Sequence, residues 1–188
     1  PGEETEFIMA NYRLSIRKIE RSDMPAIITW ARNQNLMKYL HIALPQNEQN
    51  GNQWFQRSLI DRTRDDFVIH AVNEEGERTP IGLLGLFNID EGNKKAEYYI
   101  LIGNSEFTRR GIASRASAEM LGNCFKLLNY NKITVMVDKD HYEAQKLIEK
   151  LGFRKEGLLA QDIISDSGEY IDRFIYGITK SQYEEWTK

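Results

Sequence analysis

Apolar and polar positions alternate from Tyr12 to Arg17, with Tyr12, Leu14 and Ile16 on one face, and this period predicts a first strand. Ser22 and Asp23 then offer a helix cap, and Pro25 sits inside the first turn. Ile27, Ile28, Trp30 and Ala31 supply an apolar face, so a helix is predicted as far as Arg32 or Asn33. Leu36 to Leu44 follows no period. A second helix is predicted from Gln49 to Arg62, with Trp54, Phe55, Leu59 and Ile60 turned inward.

The apolar run Phe67 to Val72 reads as a strand, and Pro80 to Ile89 as its hairpin partner across a Glu- and Gly-rich turn. Ala96 to Ile102 is a further strand, and behind it a helix is predicted from about Arg110 to Leu128. The inner stripe of that helix is Ile112, Ala116, Met120, Leu121, Cys124 and Leu128. Lys132 to Val137 alternates as a strand. His141 to Lys150 has helical spacing and ends at Gly152 as a C-terminal cap. Two strands close the pattern, Arg154 to Ile164 and Glu169 to Ile178, with a short final helix over Lys180 to Trp186. Hairpins come first and βα units later, which predicts a mixed α+β sheet without regular α/β alternation.

Composition narrows the class. The 188 residues are 41% hydrophobic and 28% charged with a net charge of −3, so the chain can bury one sizeable core and lacks the basic excess of a general nucleic-acid binder. No apolar run reaches the ~18 residues of a transmembrane helix, so no membrane partner is expected. One cysteine excludes an intrachain disulfide and suits a cytoplasmic location. No cluster of residues suggests a metal site. Residues 1–8 are polar and patternless, and read as a cloning remnant or a disordered tail ahead of one domain over 9–188.

Chemistry concentrates between Ile102 and Ser114. A strand enters a short basic loop, Thr108-Arg109-Arg110-Gly111, and a helix opens on Ile112, Ala113 and Ser114. A helix starting there aims unpaired N–H groups and the positive end of its dipole at the loop, and small residues let a phosphate approach. Two arginines add permanent positive charge. The alternative is a strand-to-helix turn with solvated arginines.

Three stretches, in order, resemble the GNAT superfamily of acyl-CoA-dependent N-acetyltransferases, over roughly Tyr12 to Ile178. Ala96 to Gly103 running into Arg110-Gly111-Ile112-Ala113 resembles the family's cofactor strand followed by Gln/Arg-x-x-Gly-x-Gly/Ala. Ala144-Gln145-Lys146-Leu147-Ile148-Glu149-Lys150-Leu151-Gly152-Phe153 resembles its Asn-x-x-Ala-x-x-Leu-Tyr-Glu-Lys-x-Gly-Phe helix. Gly168-Glu169-Tyr170-Ile171-Asp172 is similar to a turn found among bacterial-type ribosomal-protein alanine, spermidine and amino-sugar N-acetyltransferases.

The resemblance implies a mostly antiparallel central sheet of about seven strands with about four helices, and a splayed strand pair at the cofactor site. It implies acetyl-CoA as co-substrate and a small-molecule or peptide amine as acceptor: an amino sugar, a polyamine or a protein N-terminus. A homodimer follows by analogy alone. Leu101, Ile102 and Gly103 would carry the pantetheine arm, Thr108 to Ser114 the pyrophosphate, and His141 and Ala144 further cofactor contacts. Trp30, Arg32 and Asn33, with Trp54, match a stretch of amino-sugar acetyltransferases and would wall the acceptor site, although helix packing explains both tryptophans equally well. Glu97 is the expected base, or else a solvated strand-edge carboxylate. His70 is a second base candidate, or a core histidine.

The chain departs from the family's pattern at three places. Thr108 stands at the Gln/Arg position, His141 at the usual Asn, and Ile148 at the usual Tyr that protonates the leaving thiolate. Ile148 cannot donate a proton, which leaves Tyr142, another hydroxyl or a water as the acid. The same departure keeps a non-catalytic acyl-CoA-binding or sensing domain as the rival reading.

Overall fold

The computed structural model describes residues 4–9 and 12–188. Eight strands and six helices lie among the described residues. The strands are β1 (Thr5–Met9), β2 (Tyr12–Lys18), β3 (Asp65–Val72), β4 (Arg78–Asp90), β5 (Lys95–Ile102), β6 (Lys132–Asp138), β7 (Arg154–Ile164) and β8 (Tyr170–Thr179). The helices are α1 (Met24–Ala31), α2 (Gln34–Met37), α3 (Glu48–Ser58), α4 (Ile112–Gly122), α5 (Tyr142–Lys150) and α6 (Lys180–Trp186).

Two compact units divide the chain. The first comprises the chain up to Phe87 together with Tyr99–Ala116, and the second comprises Asn88–Tyr98 and Ser117–Lys188. They interleave in sequence, and no linker marks the boundary, because β4, β5 and α4 each contribute to both.

In the first unit the strand order is β1-β2-β3-β4-β5, and β1 to β4 pair antiparallel in succession. In the second it is β5-β6-β8-β7. Lys95–Glu97 runs parallel to Lys132–Thr134, and the other pairings there are antiparallel. This is the mixed, mostly antiparallel α+β architecture expected.

The counts exceed those the resemblance implies, while the final helix α6 falls where the sequence placed it. The expected tail holds strand β1, whose Phe7 is buried opposite Leu14. One buried residue in five leaves no readable period, and the strand exists because β2 offers it a ladder. Helix α2 is one turn, started by Asn33, whose side chain accepts from the N–H of Asn35 and Leu36 at 3.1 and 3.3 Å. Helix α6 is held by a capping box between Thr179 and Gln182.

Two stretches expected inside are outside. Leu59 and Ile60 are exposed because α3 stops at Ser58. Leu128 was expected on the inner stripe of α4, but a π-turn over Asn123–Leu127 widens the helix by one residue per turn. Cys124 and Phe125 stay buried while Leu127 and Leu128 swing to the surface.

The core of the first unit gathers Ile27, Trp30, Val68, Leu83, Tyr99 and Leu101. Two carboxylates are buried there. Asp66 accepts from Arg64 Nε and Nη2 at 2.7 and 2.8 Å and from the Tyr99 hydroxyl. Burial and the neighbouring carboxylate push the Tyr99 phenol well above its ordinary range, so it stays a donor. In the second unit Phe125 stacks on Tyr183 at 4.9 Å, beside buried Ile133, Tyr176 and Ile178.

The other buried carboxylate, Asp23, accepts from Arg17 Nη1 at 2.8 Å and from the Glu20 N–H at 2.7 Å, with His70 Nε2 3.3 Å from its second oxygen. Burial alone would raise its pKa, but His70, Arg17 and the backbone donor together hold it below the usual carboxylate range. Its contribution is therefore present in full above that range and lost as pH falls through the lowered value. Asp23→Ala removes the anion shared by the half-buried Arg17 guanidinium and the buried His70 imidazole, leaving Arg17 with Glu20 at 3.6 Å, and is expected to cost on the order of 3 kcal/mol in urea unfolding at neutral pH. The difference from wild type should shrink in strong acid; an equal loss at acid and neutral pH would show that the carboxylate's charge is not what matters.

Candidate active site

The basic loop belongs to the first unit, and its root is fixed before its chemistry begins. Leu101 is buried, Ile102 ends β5, and Gly103 is the first residue beyond it. The N–H groups of Gly103 and Asn104 both donate to the Ile81 carbonyl, at 2.9 and 3.1 Å. A Cβ on Gly103 would overlap the Trp30 indole, so only glycine lets that ring close on the strand. Trp30 is 6% exposed. Its side chain packs the core and supports the strand end.

Beyond Gly103 the chain makes a turn over Ser105–Phe107, started by Asn104, whose side chain accepts from the Glu106 N–H at 3.1 Å. The Thr108 hydroxyl donates to the Ser105 carbonyl at 2.8 Å and closes that turn. Arg109 and Gly111 then take left-handed conformations, with φ of 57° and 77°. The Gly111 carbonyl accepts the first helical bond, from Arg115 N–H at 3.1 Å. The amides of Ile112, Ala113 and Ser114 therefore fall in the first turn of α4, where a helix has no carbonyl of its own for them. Ile112 is buried, and the glycine ahead of it carries no side chain to shield those donors. That is a fit for an anion at the helix start.

The two arginines separate. Arg110 is held by the Tyr12 hydroxyl and lies over the Tyr12 and Phe107 rings, 5.4 and 5.8 Å from their centroids. Arg109 is exposed and makes no hydrogen bond or ion pair among the described residues. Tyr12 and Phe107 also line an open cavity of about 750 Å³ with Ile8, Val72, Glu74 and Thr79, and none of the residues expected at the site lines it.

Of the residues expected to wall an acceptor, Arg32 is exposed at the end of α1, and Asn33 spends its side-chain oxygen capping α2. Trp54 is half-buried on α3, under the Arg64 guanidinium at 5.2 Å. His70 is buried in the core, with its Nε2 3.3 Å from Asp23 Oδ1.

The second unit holds the rest. Glu97 is half-buried on β5, and one of its oxygens accepts from Asn88 Nδ2 at 2.9 Å. His141 precedes α5 at its N-cap position, but its side chain makes no cap hydrogen bond. Tyr142 follows, 69% exposed. Ala144 lies two residues further along the helix, half-buried. Ile148 is buried at 3% exposure, so the helix position that usually carries a phenol is spent on packing. Sequence reasoning missed Asn88, Asn104 and the Tyr12–Phe107 clamp. Asn104 precedes its turn as caps do and was findable; Asn88 leaves no periodic sign.

Comparison with known proteins places the chain in a family. The acetyltransferase (GNAT) domain family matches residues 13–154. The spermidine N(1)-acetyltransferase of Escherichia coli K12 is 26% identical over 92% of this chain and 89% of its own length. That of Vibrio cholerae is 28% identical over 92% of this chain and 96% of its own. The crystal structure of the Vibrio cholerae spermidine N-acetyltransferase with CoA and spermine superposes with a TM-score of 0.82 at 27% identity, covering 91% of this chain and 98% of that one. The chain belongs to the GNAT acetyltransferase family and has its fold. It is an acetyl-CoA-dependent N-acetyltransferase.

Gly103→Ala forces the new methyl into the Trp30 ring and is expected to lower unfolding stability by about 1–3 kcal/mol. Trp30→Phe in the same background should return part of the loss by making room. Urea unfolding of the wild type and the two variants checks this, and unchanged stability of Gly103→Ala would mean that the indole has room to retreat.

Proposed function

We propose that this enzyme acetylates a primary amine of a polyamine by direct attack within a ternary complex. The reading is carried by the agreement, over about nine-tenths of both chains, with two spermidine acetyltransferases and with a structure that holds CoA and spermine.

In this reading the first-turn amides of Ile112, Ala113 and Ser114, with Thr108, Arg109 and Gly111, hold the pyrophosphate of acetyl-CoA. Arg110 stays on its aromatic clamp and shapes the loop. Leu101, Ile102 and Gly103 present strand backbone to the pantetheine arm, and His141 and Ala144 make further contacts with the coenzyme. Acetyl-CoA supplies the acetyl group as an activated thioester. Glu97 takes the proton that an ammonium acceptor must lose before its nitrogen can attack. Tyr142, exposed at the start of α5, gives a proton to the departing sulfur in place of the missing phenol at Ile148. A backbone N–H of the cofactor strand polarises the carbonyl.

One observation favours a second acceptor. From Met24 to Asn47 the chain has no Asp or Glu, and carries Arg32, Lys38 and His41. A polycation gains nothing from such a wall, whereas an amine that also bears negative charge, such as a nucleotide-linked amino sugar, is attracted to it. Release of CoA with spermidine, with an amino-sugar nucleotide and with a peptide bearing a free N-terminus separates the acceptors. Turnover with spermidine alone upholds the first reading, and turnover with only the sugar or the peptide overturns it.

The cofactor and base assignments are tested together. Acetyl-CoA at a hundredfold excess over its dissociation constant should raise stability by ~2.7 kcal/mol. Gly111→Val strains the left-handed backbone and crowds the loop, so this thermal shift should vanish. Glu97→Gln should keep the shift but lower turnover about 100-fold. Full turnover in Glu97→Gln would remove Glu97 from the chemistry, and an unchanged shift in Gly111→Val would move the coenzyme elsewhere.

A further inference from the structure

Asn88 stands inside β4, between the half-buried Phe87 and Ile89, yet its backbone is left-handed, with φ of 48°. An L-residue other than glycine in that region costs roughly 1–2 kcal/mol, and asparagine tolerates it best. Glycine would adopt the same backbone without that cost. The side chain is therefore the part of Asn88 that needs a reason. It is exposed, and its Nδ2 donates to Glu97 Oε1 at 2.9 Å. A left-handed residue breaks the strict alternation of a strand and re-aims its side chain, as irregular strand residues near active sites do.

We propose that Asn88 is a positioning residue for Glu97, holding one carboxylate oxygen so that the other faces the acceptor amine. This rests on Glu97 being the base. The choice of donor is chemically apt. An amide cannot protonate the carboxylate or neutralise it, as a lysine or histidine neighbour would, yet it fixes the torsion that a half-buried glutamate otherwise samples freely. The nearest charged groups on the same connection do not compete for the role. Asp90 is occupied with Asn93, accepting from its N–H at 2.8 Å and its side chain at 2.7 Å. Lys95 sits two residues before Glu97 on β5, and Lys132 is its register partner on β6, drawn away to Glu156 at 2.8 Å.

A double-mutant cycle tests the proposal, with the full chain and steady-state kinetics for acetyl-CoA and the active amine. Asn88→Gly keeps the left-handed backbone and deletes only the amide. It should lower kcat about tenfold, as expected for losing orientation of a catalytic group, with the KM for acetyl-CoA unchanged and the thermal midpoint not lowered, since glycine relieves the strain of the left-handed backbone. In a Glu97→Gln background the same substitution should have no further effect, because the group it orients is gone. Asn88→Asp also tolerates the backbone and places a repelling charge on Glu97; its larger loss should vanish in the same background, and it carries the test should the glycine variant fail to fold. Wild-type kcat in Asn88→Gly overturns the proposal. So does an equal loss in both backgrounds, which marks a structural effect. Full activity in Glu97→Gln alone is a separate outcome: it removes the base assignment first, and Asn88 falls with it.

Discussion

The contact between the Trp30 indole and the bare backbone of Gly103 is the constraint on which the placement of the basic loop rests. It places a large aromatic face where any other residue would put a side chain. Two adjacent amides, of Gly103 and Asn104, converge on the Ile81 carbonyl at the same point. The loop that follows is polar and exposed, and by itself would sample many conformations. Rooted this way, it leaves the core along one fixed direction, and the turns at Thr108, Arg109 and Gly111 have little left to decide.

The same unit shows how carboxylates are kept out of chemistry. Asp23 and Asp66 are each buried, and each is answered by an arginine and by an aromatic or imidazole ring donor, Arg17 with His70 and Arg64 with Tyr99. Such groups are expensive to desolvate, and only a complete set of partners makes them tolerable in an interior. Glu97 is different in kind. It has one neutral partner, it is half-buried, and it is the one carboxylate on β5. Contrast of environment, rather than residue type, sets Glu97, the base of the proposed mechanism, apart from the two structural carboxylates.

Most strands and the longer helices were legible because burial of one face imposes a period, and a period survives in the sequence. Legibility failed where structure depends on something other than a face. β1 is a strand because β2 offers its edge. α2 is a single turn that Asn33 starts with its own side chain. The outward turn of Leu127 and Leu128 follows from a π-turn, which shifts the register by a residue without changing the composition. The candidate site divides in the same way. The elements that carry the loop, Glu97 and the α5 residues could be read from motif resemblance and strand–helix order. The split between Arg109 and Arg110 could not, because it depends on Tyr12, ninety-eight residues away, and nothing local announces a long-range clamp.

Cys124 lies on the buried side of the π-turn with no exposed surface, and it is the chain's one cysteine. Its sulfur is shielded from reagents in solution as long as the second unit stays folded. Each acetyl transfer sets free one thiol, on the product. A thiol-reactive dye present during turnover would therefore colour in proportion to chemistry alone, and a sudden extra equivalent of colour would report that the protein had opened.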